Sequence, residues 1–205
     1  MAMKPPEARA LAALPPEAWR NGGGVTRTLA MHDDGGNTGG AWRISIAEVE
    51  RDGPYSRFVG MTRVSFVLRG AGVVLREGAL DVSLAPNEAV EYTGNAAWDA
   101  RLVNGPVTVL NVMSAAQRYR VKVGALAAPA SVAAGEIALV LALEGACEIE
   151  THDTAGTRLE AGHYAVFDDL RAPLRVAPLA VNAQSARNAR IVLVTLSPGA
   201  WSAST

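Results

Sequence analysis

The chain has 205 residues, of which 49% are hydrophobic and 5% aromatic, a length that suits one large all-β domain or two small ones. Its 19 basic and 20 acidic side chains give a formal net charge of −1, so there is no electrostatic reason to expect nucleic acid or an anionic membrane as a partner. The single cysteine, Cys147, excludes an internal disulfide and fits a reducing compartment. No segment has the length of a membrane span or the pattern of a signal peptide, so we expect a cytoplasmic protein.

The N-terminal part contains three consecutive glycines in the stretch WRNGGGVTR, residues 19–27. A phosphate-binding loop would need a Lys-Ser/Thr pair or a helix after its glycines, whereas the alternating, β-branched segment VTRTLAM predicts a strand. Glycine has no Cβ and therefore allows another backbone or a ligand to come close. The run is either a flexible elbow before the first strand or a place where another backbone or a ligand approaches the glycines closely.

Short strand-like segments continue along the chain after the glycine run. They are AWRISIAEVE, RVSFVLRG, AGVVLRE, ALDVSLA, WDARLVN and PVTVLNVM, separated by turn clusters such as RDGPYS and TGN. Such spacing predicts an antiparallel sandwich or barrel.

The second half of the chain repeats this pattern. FVLRGAGVVL corresponds to LALEGACEIE, with Gly70 over Gly145, and SLAPNEAVEY corresponds to RLEAGHYAVF, with Leu84 over Leu159. Ordered self-similarity of this kind indicates duplication of one β unit. The order of strands and turns within the unit resembles the cupin barrel.

We therefore predict an all-β bicupin, two cupin-like antiparallel β-barrels or jelly rolls in tandem. Residues 1–120 form the N-terminal barrel with the ligand pocket, and residues 121–205 form the C-terminal barrel. Cupins usually hold a metal with clustered histidines, but His32, His152 and His163 are scattered and share no strand face. Because a first-row metal ion needs a converging set of ligands, we expect neither a metal site nor a cofactor.

Strand alternation groups the polar side chains of three segments, WRISIAEV, RVSFVL and VLNVMS, because positions i and i+2 share a face. The residues on these faces are Arg43, Ser45, Arg63, Ser65, Asn111 and Met113. In one interpretation the polar faces meet solvent and the opposite faces form the core. In the other, the polar faces line one cavity in which an arginine binds an anion.

Several motifs, in order through residues 19–113, are similar to those of the HutD/Ves family, bacterial proteins associated with histidine utilisation. They are WRNGGGVTR, AWRISIAEVERDGPYSRFVGMTRVSFVLRGAG and GPVTVLNVM. The resemblance implies a bicupin that lacks the usual metal ligands. It also implies a regulator that binds a small carboxylate, with N-formylglutamate or another histidine-degradation intermediate as the suspected ligand, since members are not established enzymes.

The resemblance also implies site residues. Arg63, in the motif GMTR, falls on the family's pocket arginine. The other positions that fall on the family pattern are Asn21, Thr26, Trp42, Ser45, Tyr55, Ser56, Asn111 and Met113. Strand alternation adds Ser65, and the glycine run adds Gly23 and Gly24.

Two other functional hypotheses remain open beside the metal-free binder. One is an enzyme, an isomerase or hydrolase of a small acid, for which Tyr55 and Glu48 are the acid–base candidates. The other is a non-catalytic interaction module whose second barrel docks a partner or a second copy of the chain as a homodimer.

Overall fold

The computed structural model describes residues 7–33, 41–151, 154–179 and 190–199. Within these residues the chain is built from β-strands and contains one short 3-10 turn, Leu11–Ala13, and no α-helix. No helix in the described part is therefore long and apolar enough to cross a bilayer. The chain divides into two compact units: a first unit, Leu14–Tyr119, and a second unit, Arg120–Pro198 together with the residues before Leu14.

The first unit contains two antiparallel sheets, of six and four strands. Its strands are β2 (Glu17–Ala18), β3 (Gly24–His32), β4 (Trp42–Val49), β5 (Gly53–Pro54), β6 (Met61–Arg69), β7 (Val73–Glu77), β8 (Leu80–Leu84), β9 (Ala89–Thr93), β10 (Asp99–Leu102) and β11 (Val107–Ala115). The strand orders are β2-β3-β4-β11-β6-β9 and β5-β10-β7-β8. Val49, Val67 and Val109 of the larger sheet form one apolar core with Leu75 and Ala100 of the smaller sheet.

The second unit also contains two antiparallel sheets. Its strands are β1 (Arg9–Ala10), β12 (Tyr119–Ala125), β13 (Ala130–Val132), β14 (Ile137–Glu144), β15 (Ala146–Thr151), β16 (Thr154–Leu159), β17 (His163–Phe167), β18 (Leu174–Leu179) and β19 (Arg190–Pro198). The strand orders are β1-β17-β14-β19-β12 and β13-β18-β15-β16. Its hydrophobic core includes Val140, Cys147, Ile149, Leu174 and Ile191. Burial raises the pKa of the Cys147 thiol to about 12.

The two units share one strand order. The sheet β5-β10-β7-β8 becomes β13-β18-β15-β16, and the run β4-β11-β6-β9 becomes β12-β19-β14-β17, when eight is added to each strand number. The glycines aligned from the repeat occupy equivalent turns: Gly70 lies between β6 and β7, Gly145 lies between β14 and β15, and their φ angles are positive, at 97° and 78°. Leu84 and Leu159 both end a strand and are both buried. The predicted all-β fold and the internal duplication are confirmed.

The N-terminal segment groups differently from the sequence-based division at residue 120. Strand β1 pairs with β17, with Arg9 opposite Tyr164, and thereby adds an edge strand to the second unit. The residues up to Ala13 therefore belong to the second unit, although the sequence assigned them to the N-terminal barrel. A two-residue strand has too few side chains to reveal its partner through periodicity.

The glycine run forms the turn between β2 and β3. Gly22 has a φ of 64°, which suits glycine, and its carbonyl accepts hydrogen bonds from Arg51. The N–H of Gly23 donates to Oδ1 of Asn21 at 3.0 Å. A Cβ on Gly24 would collide with the backbone carbonyl of Glu48, so glycine is needed there for strand pairing. This geometry agrees with the elbow interpretation of the glycine run.

Candidate ligand-binding site

Polar side chains are buried mainly in the first unit. Five of the seven buried polar residues in the described part of the chain lie there: Ser45, Arg63, Ser65, Asn111 and Ser114. Four of these five lie on the central strands β4, β6 and β11 and on the faces that alternation had grouped. Because buried polar groups cost free energy unless they are bonded, this cluster requires a structural or functional explanation.

A cavity of about 50 Å³ lies beside this cluster and continues outward into a groove of about 490 Å³. The residues that line both are Trp19, Thr26, Arg43, Tyr55, Ser56 and Phe58. Those that line only the cavity are Ser45, Ala47, Arg63, Asn111 and Met113. A small molecule could therefore enter along the groove and place one end in the cavity.

Strand register explains why these side chains meet. Met113 of β11 stands opposite Arg43 of β4 on one side and opposite Arg63 of β6 on the other. Two residues along, Asn111 is flanked in the same way by Ser45 and by Ser65. Adjacent positions across an antiparallel sheet point to the same face, so two neighbouring rows of side chains form the floor of the site.

Arg63 is the central charge of the cavity and is only 4% exposed. One guanidinium nitrogen donates to the carbonyl of Ser56 at 3.3 Å, and the other donates to Oδ1 of Asn111 at 3.4 Å. Its Nε is buried and has no hydrogen-bond partner in the part of the chain that the structure describes. None of the ion pairs among the described residues includes Arg63. A buried guanidinium without a carboxylate partner is ready to bind an external anion.

Three aromatic rings surround this guanidinium. Its carbon lies 5.4 Å from the ring centre of Tyr55, 5.5 Å from that of Phe58 and 5.2 Å from that of Tyr92. The electron-rich ring faces stabilise the cation without neutralising it. Burial raises the pKa of both tyrosines, and the nearby Arg63 opposes this rise only partly. Both hydroxyls therefore remain protonated as hydrogen-bond donors at neutral pH.

A directed chain of hydrogen bonds holds Asn111 in place. Ser65 donates to Oδ1 of Asn111 at 2.7 Å, and the hydroxyls of Ser65 and Tyr92 are 2.8 Å apart. Since Arg63 also donates to that Oδ1, the amide oxygen faces the donors and the amide Nδ2 is left for the cavity. The cavity floor thus presents N–H and O–H donors, which match the acceptor oxygens of a carboxylate.

The groove is built from the segment before the glycine run. The indole N–H of Trp19 donates to the hydroxyl of Thr26 at 2.8 Å, and the indole packs edge-on against Tyr55. Asn21 donates to the carbonyl of Pro54 at 3.1 Å. These contacts fasten the loop that starts at residue 19 over the mouth of the cavity, so Trp19 forms one wall of the entrance.

Comparison with known proteins identifies the family of this chain. A family model described as HutD matches residues 11–191. The chain belongs to the HutD family. The chain is 35% identical over 105 residues to an uncharacterized 21.2 kDa protein in the hutC 3' region of Pseudomonas putida. That match covers 51% of this chain and 55% of the relative, so the chain spans just over half the length of the curated relatives it matches.

Solved structures show the same fold. The structure of HutD from Pseudomonas fluorescens, formate condition, has a TM-score of 0.72 and 24% identity, covering 94% of this chain and 98% of that chain. A cupin 2 conserved barrel domain protein from Leptotrichia buccalis has a TM-score of 0.55 and 11% identity, covering 93% and 96%. This HutD-family chain therefore has the predicted bicupin fold.

Most of the predicted site residues of this HutD-family chain lie at the cavity or groove. They are Asn21, Thr26, Ser45, Tyr55, Ser56, Arg63, Asn111 and Met113. Of the residues that alternation groups on β4, β6 and β11, five line the cavity: Arg43, Ser45, Arg63, Asn111 and Met113. Ser65 lies behind the lining, where it bonds Asn111 and Tyr92.

Three predicted positions lie outside the lining. Trp42 occupies the alternate face of β4 from Arg43 and stacks on His32, with ring centres 6.4 Å apart. Gly23 and Gly24 line neither the cavity nor the groove, because the N–H of Gly23 is used by Asn21 and Gly24 is packed on β4. The glycines shape the entrance loop and do not contact the cavity.

Sequence reasoning did not select several residues at the site, among them the lining residues Arg43, Trp19 and Phe58 and also Tyr92, whose ring packs against Arg63. Arg43 shared a face with Ser45, and that alternation could have added it to the set. Trp19 belonged to the quoted glycine motif, but nothing local indicated that its ring faces the cavity. Phe58 follows the short strand β5, and Tyr92 comes from β9, so neither shares a period with the three central strands.

The donor set of the cavity does not suit a divalent metal ion. Arg43 and Arg63 bring positive charge, and the other polar side-chain groups of the lining are hydroxyls, one amide and the indole N–H of Trp19. In the described part of the chain, no three His, Cys, Asp or Glu side chains come together in a way that could hold a metal. His163 instead lies 3.0 Å from the carbonyl of Ala161, and His152 lies outside the described residues. The metal chemistry common among cupins has no fitting ligands in this cavity.

Proposed function

We propose that this HutD-family protein binds a small carboxylate in the cavity of its first unit and thereby moderates histidine utilisation. The observation that carries the proposal is Arg63, a buried guanidinium that forms no ion pair with the described residues and whose Nε has no hydrogen-bond partner among them. A buried positive charge costs free energy unless it is paired, and a bound ligand anion would supply that pair. Asn111 and Tyr55 add neutral donors around the same space.

The family relationships support the choice of ligand and pathway. The Pseudomonas putida relative is described by its place in the hutC 3' region, and the Pseudomonas fluorescens HutD structure is described as a formate condition. Formate is the smallest carboxylate. N-formylglutamate, which the sequence resemblance suggests, carries both carboxylate groups and a formyl group, and a groove of about 490 Å³ has room for its chain.

The lining chemistry supports a binding protein more than an enzyme. Glu48, one acid–base candidate, pairs with Arg27 and lines neither the cavity nor the groove. Tyr55, the other candidate, is a poor base because burial raises its pKa. A general base needs a pKa near the operating pH.

The test is calorimetric titration of the full-length protein with formate, urocanate and N-formylglutamate, followed by NMR of each mixture. We expect saturable binding of at least one acid and no new product resonances. Product formation would favour the enzyme hypothesis, and absence of binding by all three acids would contradict the proposal. For the regulatory part, deletion of the gene in its host should change the rate of histidine consumption.

A further inference from the structure

A second arginine of the first unit holds a carboxylate of the protein itself. The NH2 group of Arg43 lies 3.3 Å from Oε2 of Glu17, and the hydroxyl of Thr28 donates to Oε1 of Glu17 at 3.0 Å. Arg43 also donates to that hydroxyl, at 2.6 Å from NH2 and 3.2 Å from Nε. The carboxylate of Glu17 thus receives one charged and one neutral donor, the arrangement that an external carboxylate would need.

The contact between Arg43 and the carboxylate of Glu17 lies along the path into the cavity. Arg43 lines both groove and cavity, and Glu17 lines the groove. Arg43 and Arg63 stand on either side of Met113 in register, two strand intervals apart. Strands are spaced about 4.8 Å apart, so the two arginine backbones are separated by about 10 Å. Their long side chains both reach the same cavity, so one short ligand could contact both.

Glu17 is held loosely in comparison with the arginine that it contacts. Its side chain is 58% exposed, while that of Arg43 is 28% exposed. It also stands on β2, a two-residue strand at the edge of its sheet. Exposed ion pairs contribute little stability, so a ligand anion can displace this carboxylate at small cost.

We propose that Arg43 and Thr28 form a second carboxylate subsite, which Glu17 occupies until a ligand with two acidic groups displaces it. The inference rests on the proposed function, because the first carboxylate of that ligand binds at Arg63. Glu17 acts here as an internal competitor and so as a specificity-determining residue. Monoacids gain nothing from displacing it, whereas diacids exchange one carboxylate for another and retain both arginine contacts.

The test compares glutarate with glutaramate, its monoamide, because the two probes have the same length and differ in one charge. Calorimetric titrations use the full-length wild type and the variants Arg43→Gln, Thr28→Val and Glu17→Gln. Glu88→Gln is the matched control, since Glu88 is an exposed carboxylate of the same unit that lines neither groove nor cavity. Circular dichroism of each variant verifies folding.

We expect the wild type to prefer glutarate, and Arg43→Gln to lose about ten-fold of that preference. Thr28→Val should lose a smaller part of it. Glu17→Gln should tighten glutarate binding about two- to five-fold and leave glutaramate unchanged, while Glu88→Gln changes neither.

Two other outcomes would overturn the proposal in different ways. Equal affinities for glutarate and glutaramate in the wild type, or an unchanged preference in Arg43→Gln, would remove the second subsite and leave the binding role of Arg63 intact. Failure of both probes, together with failure of formate, urocanate and N-formylglutamate, would remove the proposed function as well.

Discussion

Asn111 stands where an internal counter-ion of Arg63 would stand. Its Oδ1 lies 3.4 Å from the guanidinium NH2 group and 2.7 Å from the Ser65 hydroxyl. An amide in this position satisfies the hydrogen bonds of its neighbours and leaves the positive charge available. An aspartate of the same shape would neutralise that charge.

Asn111→Asp is therefore expected to weaken acid binding by at least about ten-fold, because the new carboxylate competes with the ligand for Arg63. Calorimetric titration with the acid that binds the wild type measures the change. Asn104→Asp, which adds the same charge at an exposed position, is the control. Equal loss in both variants would mean that net charge, and not the Arg63 contact, governs affinity.

Arg63→Met is expected to abolish high-affinity binding without lowering the free energy of unfolding. Loss of a buried, charge-assisted pair costs roughly 2–5 kcal/mol of binding, or about 30- to 4000-fold in the dissociation constant. Folding does not suffer, because a buried guanidinium without an ion-pair partner is itself unfavourable.

Titration and urea unfolding of the same sample test both halves of the Arg63 prediction. Arg63→Lys should recover only part of the affinity, since an ammonium group cannot form the two parallel bonds of a guanidinium. Arg101→Met removes a charge at an exposed position of the same unit and should change neither quantity. Unchanged affinity in Arg63→Met would exclude this residue as the carboxylate ligand.

Tyr55→Phe is expected to weaken acid binding by about two- to ten-fold and to leave stability unchanged or higher. The Tyr55 hydroxyl is buried and has no hydrogen-bond partner among the described residues, so its removal breaks no hydrogen bond with them. It lines the cavity, so a bound acid is its natural acceptor. Tyr164→Phe, in the second unit, is the control for affinity. A clear loss of stability in Tyr55→Phe would show that the hydroxyl has a structural partner.

The free energy of unfolding is expected to fall as pH rises through the alkaline range. Folding raises the pKa of Cys147 from 9.0 to about 12, and it raises the pKa values of Tyr55 and Tyr92 above 10.0. In the unfolded chain the cysteine ionises above about pH 9 and the two tyrosines ionise above about pH 10, whereas in the folded protein all three groups stay neutral at these pH values. Each therefore favours the unfolded state by about 1.4 kcal/mol per pH unit until its folded pKa is reached.

Urea unfolding between pH 8 and pH 11 measures this slope. Cys147→Ala should flatten the curve between pH 9 and pH 10, and Tyr92→Phe should flatten it above pH 10. Only the slopes are compared, because both substitutions also change packing. Parallel curves for wild type and variants would rule out these residues as the source.

Gly24→Ala is expected to destabilise the first unit by roughly 1–3 kcal/mol, because the added Cβ would collide with the carbonyl of Glu48 across the β3–β4 pair. Gly124→Ala, where nothing lies within 4 Å of the added atom, should be close to neutral. Urea unfolding gives both values. Affinity per folded molecule should be unchanged in Gly24→Ala. A loss of affinity in the folded protein would instead show that the glycine run contributes to ligand binding.

The fold and the floor of the site could be predicted because both depend on regular periods. Alternation along three strands grouped Arg63, Ser45 and Asn111, and strand register places these strands side by side so that the three residues line one cavity. Motif resemblance also selected Trp42, which lies on the other face of β4 from Arg43 and lines neither the cavity nor the groove.

The walls of the site could not be predicted, because they come from irregular segments. Trp19 and Phe58 reach the cavity through loops whose course depends on tertiary contacts, such as the bond from Asn21 to Pro54. The Glu17 contact with Arg43 spans β2, β3 and β4, and no pattern within a two-residue strand indicates such a partner. The direction of the amide of Asn111 likewise depends on Tyr92, which lies on an outer strand.

The different depths of Arg63 and Arg43 have a consequence for the effect of salt. Mobile ions screen exposed charges beyond about 8 Å at physiological ionic strength, but they screen buried pairs much less. The inner contact should therefore hold a carboxylate almost independently of ionic strength, while the contact at the partly exposed Arg43 weakens as salt rises. Raising the salt concentration should therefore leave the affinity for a single carboxylate nearly unchanged and reduce the preference for diacids.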